Sequence, residues 1–130
     1  MDSKYGFGKD APGAFDAVLE RVTAALQGQG FGILSDIDVA ATLKKKLDVD
    51  MPPYRILGAC NPPLARRALE ADPSIGLLLP CNVVVRQDAA GQVRVEMMDT
   101  DAVLQLSGKP AIAQLAGEVG QKLRAALDAV

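Results

Sequence analysis

Cys81-Asn82-Val83-Val84-Val85-Arg86-Gln87-Asp88-Ala89-Ala90-Gly91-Gln92-Val93-Arg94-Val95-Glu96-Met97 is the stretch that decides the fold. Val83, Val85, Val93, Val95 and Met97 alternate with polar residues, the period of a half-buried strand. Asp88-Ala89-Ala90-Gly91 separates the two alternating runs, so the segment reads as a β-hairpin. A three-residue loop with Gly91 in the left-handed position pairs Val85 with Val93, Val83 with Val95 and Cys81 with Met97. A slip by one residue would set Val85 against Arg94 and mix the two faces. The polar face then carries Asn82, Val84, Arg86, Arg94 and Glu96, with Asn82 opposite Glu96.

On the N-terminal side of the hairpin, Ile75 to Val85 is apolar but interrupted by Gly76 and Pro80. Proline donates nothing to a ladder, so a bulge, bend or edge is expected there. Tyr54 to Ala59 reads as a strand. Asn61-Pro62-Pro63 then suits an N-cap followed by proline in the first helical turn, with Leu64, Ala68 and Leu69 on the helix and Asp72-Pro73 ending it. Further back, Phe31 to Leu34 reads as a strand. Asp36 or Asp38 can cap a helix bearing Val39, Leu43 and Leu47, whose lysines 44–46 suit the negative end of its dipole. Phe15, Val18, Leu19, Val22, Ala25 and Leu26 recur at helical spacing between a start at Asp10-Ala11-Pro12 and a stop at Gly28. Tyr5 and Phe7 suggest a short first strand.

On the C-terminal side, Ala102 to Leu106 fits either state. Pro110 opens a final helix with Ile112, Leu115, Ala116, Val119, Leu123, Ala126 and Leu127 facing inward. The order β-α-β-α-β-α-β-β-α implies a mixed or antiparallel sheet covered by helices on one face.

With 130 residues, 49% apolar and 23% charged, the chain suits one α/β domain over 1–130. Its formal charge of −2 gives no general attraction to nucleic acid or an anionic membrane. No run reaches the roughly 18 apolar residues of a membrane span. The polar opening, Met1-Asp2-Ser3-Lys4, lacks the apolar stretch of a secretion signal. Two cysteines in such a chain suggest free thiols and a cytoplasmic setting. Histidine is absent, which removes Ser-His-Asp and Cys-His catalysis and histidine-ligated metal sites within this chain.

Two elements echo each other: Ala59-Cys60-Asn61-Pro62 and Pro80-Cys81-Asn82-Val83. In the hairpin register Cys81 lies with the core valines, so it reads as a small buried hydrophobe. Cys60 precedes a helix, where a thiol can have a lowered pKa. Asn61 reads as a plain cap, and Asn82, Arg86, Arg94 and Glu96 as either a solvated face or a ligand or subunit patch. Asp36/Asp38 and Asp99/Asp101 could hold Mg²⁺ or Ca²⁺ but match caps and turns better.

Taken together, Gly30-Phe31-Gly32-Ile33-Leu34 with Asp36-Ile37-Asp38, Tyr54 through Ala65 and Gly76 through Val85 resemble the domain of unknown function 302 family. The resemblance runs from the first helix to the last. It implies an α+β fold with a curved, mostly antiparallel sheet and helices packed on one face, a TATA-binding-protein-like arrangement. It also implies a homodimer. It implies no activity, and fold likeness carries no DNA binding with it.

Three functions follow as expectations. The first is a binding module in which Cys60, Asn61, Pro62, Cys81, Asn82, Arg86, Arg94 and Glu96 hold a small molecule. In its metal form, Cys60 and Cys81 take a soft ion such as Cu(I) or Zn(II), with Met97 or Met98 adding a thioether. The second is a structural or protein-interaction domain without a ligand. The third, ranked last, is a thiol-redox protein or enzyme using Cys60, so the balance leans away from catalysis.

Overall fold

The computed structural model describes residues 3–130; Met1 and Asp2, at the start of the polar N-terminal stretch, lie outside them. Five strands form one antiparallel sheet in the order β1-β5-β4-β3-β2. They are β1 (Gly6–Ala11), β2 (Gly32–Asp38), β3 (Tyr54–Cys60), β4 (Cys81–Gln87) and β5 (Val93–Met98). The helices are α1 (Phe15–Gly28), α2 (Val39–Leu47), α3 (Pro62–Ala71), α4 (Thr100–Leu104) and α5 (Pro110–Asp128). Helices α1 and α5 lie against the central strands on one face, and α3 and α4 pack against α5. This is the α+β arrangement expected from the sequence, with an open rather than closed sheet.

The core fills the space between that face and the helices. Val83, Val85, Val95 and Met97 from the hairpin meet Val18, Val22 and Leu26 from α1 and Ile112, Leu115 and Leu123 from α5, all buried. Alternation along the strands and the 3.6-residue period along the helices put these side chains in one layer. Burying each such side chain is worth about 1.5–3 kcal/mol.

The hairpin has the expected faces but a different register. Val85 pairs with Val95, Val83 with Met97 and Gln87 with Val93. Asp88 is the reason: its carboxylate accepts from the backbone N–H groups of Ala90 and Gln92, both at 2.9 Å. Its own N–H donates to the Gln92 carbonyl at 2.9 Å. This widens the loop and slides the pairing by two residues, which leaves every side chain on its face. Glu96 therefore faces Val84, and Asn82 faces Gly58 on β3 instead of Glu96.

Other boundaries move for similar reasons. Asp10 and Ala11 do not start a helix; they pair with Arg94 and Val93 as the end of β1. Pro12 then ends the strand, and α1 begins at Phe15. β2 runs on to Asp38, with a bulge between Ile33 and Ser35 that leaves Leu34 70% exposed. Asp38 caps α2 by accepting from the N–H of Ala41 at 2.9 Å. The apolar run after Asp72-Pro73 makes a 3-10 turn over Pro73–Leu78 before a cis Leu79–Pro80 bond and β4. Between β5 and α5, Asp99 caps the short α4, and buried Thr100 donates to the Ala116 carbonyl at 2.7 Å.

Candidate functional site

The C-terminal end of β3 and the start of β4 meet α3, the 3-10 turn, α4 and α5 around a cavity of about 410 Å³. Phe31, Leu64, Ala68, Leu104, Leu115 and Val119 form much of its wall, with Leu34, Leu69, Leu79 and Pro80 toward the surface. Among the described residues no charged residue lines it; its polar lining residues are Ser35, Asn61, Cys60 and Cys81. The wall gathers residues from seven elements and from the connections between them, so topology makes it, not any local run of sequence.

Seven of the eight residues singled out from sequence separate into two groups, and Pro62 joins neither. Cys60, Asn61 and Cys81 line the cavity. Asn82, Arg86, Arg94 and Glu96 lie on the opposite, uncovered face of the sheet. Neighbouring strand residues point to opposite faces, so Cys81 and Asn82 cannot share a site on one face. Pro62 sits exposed in the first turn of α3. On the open face, Glu96 binds the Arg86 Nε at 2.7 Å, and Arg94 reaches both Glu96 and Asp10 at 3.6 Å. The hydrogen bond that Arg86 donates to the Glu96 carboxylate holds the Arg86 pKa above its ordinary value. A second hollow of about 360 Å³ is lined by Tyr5, Tyr54, Asn82, Val84, Glu96 and Met98, among others.

Asn61 stands at the N-cap of α3 but does not cap it with its side chain. Its Nδ2 instead donates to the Gln29 carbonyl at 3.3 Å, tying the end of α1 to the start of α3. The residue is 9% exposed. Gly30, at φ 84°, keeps clear the space beside that carboxamide.

The thiols are not activated. Burial raises the Cys60 pKa, against the lowering expected from its place before a helix. Pro62 and Pro63 explain this: they occupy the first turn of α3 and carry no N–H, so the helix end has few donors to stabilise a thiolate. The Cys81 pKa is pushed up to about 11, first by burial and then by the proximity of Cys60. Cys81 packs with the core valines as expected. Met97 is buried on the core face and Met98 is on the open face, and neither lines the cavity, so no thioether joins the two thiols there. Among the described residues, no group of three or more Cys, Asp or Glu is arranged to hold a metal ion. Asp36 pairs with Arg55, which lowers its pKa, and Asp38 and Asp99 act as caps, so the carboxylate pairs serve the fold.

The profile of the domain of unknown function DUF302 matches residues 7–130. The chain belongs to the DUF302 family. A crystal structure of an uncharacterised conserved DUF302 protein from Bacillus stearothermophilus superposes with a TM-score of 0.89 at 29% identity. The match covers 97% of this chain and 98% of that one. No curated protein matches the chain. Among the described residues, no helix is long and apolar enough to cross a membrane.

Proposed function

We propose that this DUF302 chain is a binding module for a small, uncharged, hydrocarbon-rich ligand held in the cavity between α3 and the β3–β4 strand ends. The observation that carries this reading is the wall itself: about 410 Å³ bounded mostly by aliphatic and aromatic groups, with no charged residue among the described ones that line it. Ligand sites have this character, a mostly apolar hollow with a few polar groups that fix orientation. Asn61, Ser35 and the thiols supply those groups. An ionised ligand would lose its hydration there without a counter-charge, which costs several kcal/mol or more. Leu34 and Leu69, 70% and 44% exposed, border both the cavity and the surface and mark the way in. A soft metal ion is less well served, because only two thiols are present to hold it.

Titration with the neutral fluorophore N-phenyl-1-naphthylamine tests the reading. Saturable binding is expected, and Ala68→Phe, which fills the cavity from α3, abolishes it. Absence of saturation, or equal binding by Ala68→Phe, would contradict it and favour an interaction domain without a ligand.

The homodimer implied by the family resemblance belongs to the same proposal. Its support is the open sheet face, where Ile37 is 50% exposed and Ile56 and Val84 are only partly buried. Light scattering at micromolar concentration then gives twice the chain mass; a monomer mass rejects it.

A further inference from the structure

The chain's two cysteines border the same cavity. Ala59 is the cross-strand partner of Cys81, and Cys60 is the next residue. Partner spacing and the rise per residue put the Cys60 and Cys81 Cα atoms about 6 Å apart. That is inside the roughly 4.4–6.8 Å that disulfides span. Strict alternation would turn Cys60 away from Cys81. Cys60, however, is the last residue of β3, next to the start of α3, and it lines the same cavity as Cys81.

We propose that Cys60 and Cys81 are a reversible dithiol–disulfide pair on the cavity wall, and that its oxidation weakens binding in the cavity. Half-buried Cys60 is the thiol that meets an external oxidant, and buried Cys81 is the one that resolves the intermediate. The surroundings favour this chemistry over a metal dithiolate. Two thiolates on a monovalent soft ion would leave a net negative charge against hydrocarbon, whereas a disulfide is neutral.

The oxidant is a small-molecule disulfide. Cys60 gives its proton to solvent, and its sulfur attacks one sulfur of the oxidant; a protein–small-molecule S–S bond forms, the oxidant's S–S bond breaks, and one thiolate leaves and takes up a proton. Cys81 then loses its proton and attacks the Cys60 sulfur, the mixed S–S bond breaks, and the second small thiol departs. Two protein thiols are oxidised and one external disulfide is reduced to two thiols. The new bond draws the corner between β3 and α3 toward β4 and narrows the cavity at its polar side.

The gating half rests on the proposed ligand site; the disulfide does not. The full reduced chain is equilibrated with oxidised glutathione, acid-quenched, denatured and alkylated. The expected product is a single chain lighter by two hydrogens with no alkylatable thiol, and Cys60→Ser and Cys81→Ala each lose it. Cys60→Ser alone suffices as the control if Cys81→Ala does not fold. Thiols that both stay alkylatable, or bridges formed only between chains, overturn the proposal. N-phenyl-1-naphthylamine is then expected to bind the oxidised chain about tenfold more weakly, a difference of about 1.4 kcal/mol. Equal affinity for the two states overturns the gating. Probe binding by neither state overturns the ligand site and leaves the disulfide standing.

Discussion

Cys81 and Asn82 are adjacent in the chain and occupy opposite surfaces of the sheet. Their pairing in sequence suggested one polar element; the pleat divides them, so Cys81 joins the cavity and Asn82 the open face. Burial sets the chemistry of Cys81. Its pKa rises from an ordinary 9.0 to about 11 in the folded chain, because the thiolate is poorly solvated there. The unfolded chain therefore releases this proton first as pH rises. The folded state is favoured fully below pH 9.0, and that contribution is lost progressively up to about pH 11. The loss is on the order of 2 kcal/mol. Urea denaturation of the wild type and Cys81→Ala is expected to show the wild type losing more stability over this range. Parallel pH profiles would count against a buried, neutral thiol.

At the scale of elements, the edge pairing of β1 with β5 depends on Gly8. A Cβ at this position would sit on the Val95 carbonyl oxygen and against the Glu96 side chain. Gly8→Ala must push the two strands apart, and such overpacking costs about 1–3 kcal/mol. Chemical denaturation is expected to show this loss, together with faster hydrogen exchange in β1; an unchanged midpoint would mean that the strand shifts freely. The strands and helices were legible where hydrophobic period and caps agreed, as in the hairpin, Tyr54–Ala59 and the inward face of α5. The register of β4 with β5 was not, because it turns on the Asp88 carboxylate bonding to two backbone N–H groups. The strand identity of Asp10 and Ala11 was not, because it comes from pairing with residues more than eighty positions away. Asn61 had the right residue type for a cap, but its partner, the Gln29 carbonyl, lies in another element.

For the whole molecule, a sheet with helices on one side has two unlike surfaces. The covered side contains the cavity; the open side carries the Arg86–Glu96–Arg94–Asp10 ion pairs and a few exposed apolar residues. Sequence marked Cys60, Asn61 and Cys81, because cysteine, asparagine and proline at strand ends stand out. It could not mark Leu104, Leu115 or Val119 as cavity wall, since each is an ordinary apolar position on an amphipathic helix. Their common destination is set by how α4 and α5 dock: Thr100 bonds to the Ala116 carbonyl and lies beside Gly120, which allows the close approach. The most direct test of the cavity as a ligand site is methyl NMR of the reduced chain titrated with N-phenyl-1-naphthylamine. The methyl signals of Leu64, Leu104, Leu115 and Val119 are expected to shift and saturate together while those of Ile56 and Val84 stay in place. Shifts confined to the open face, or no saturable shift at all, would contradict the account.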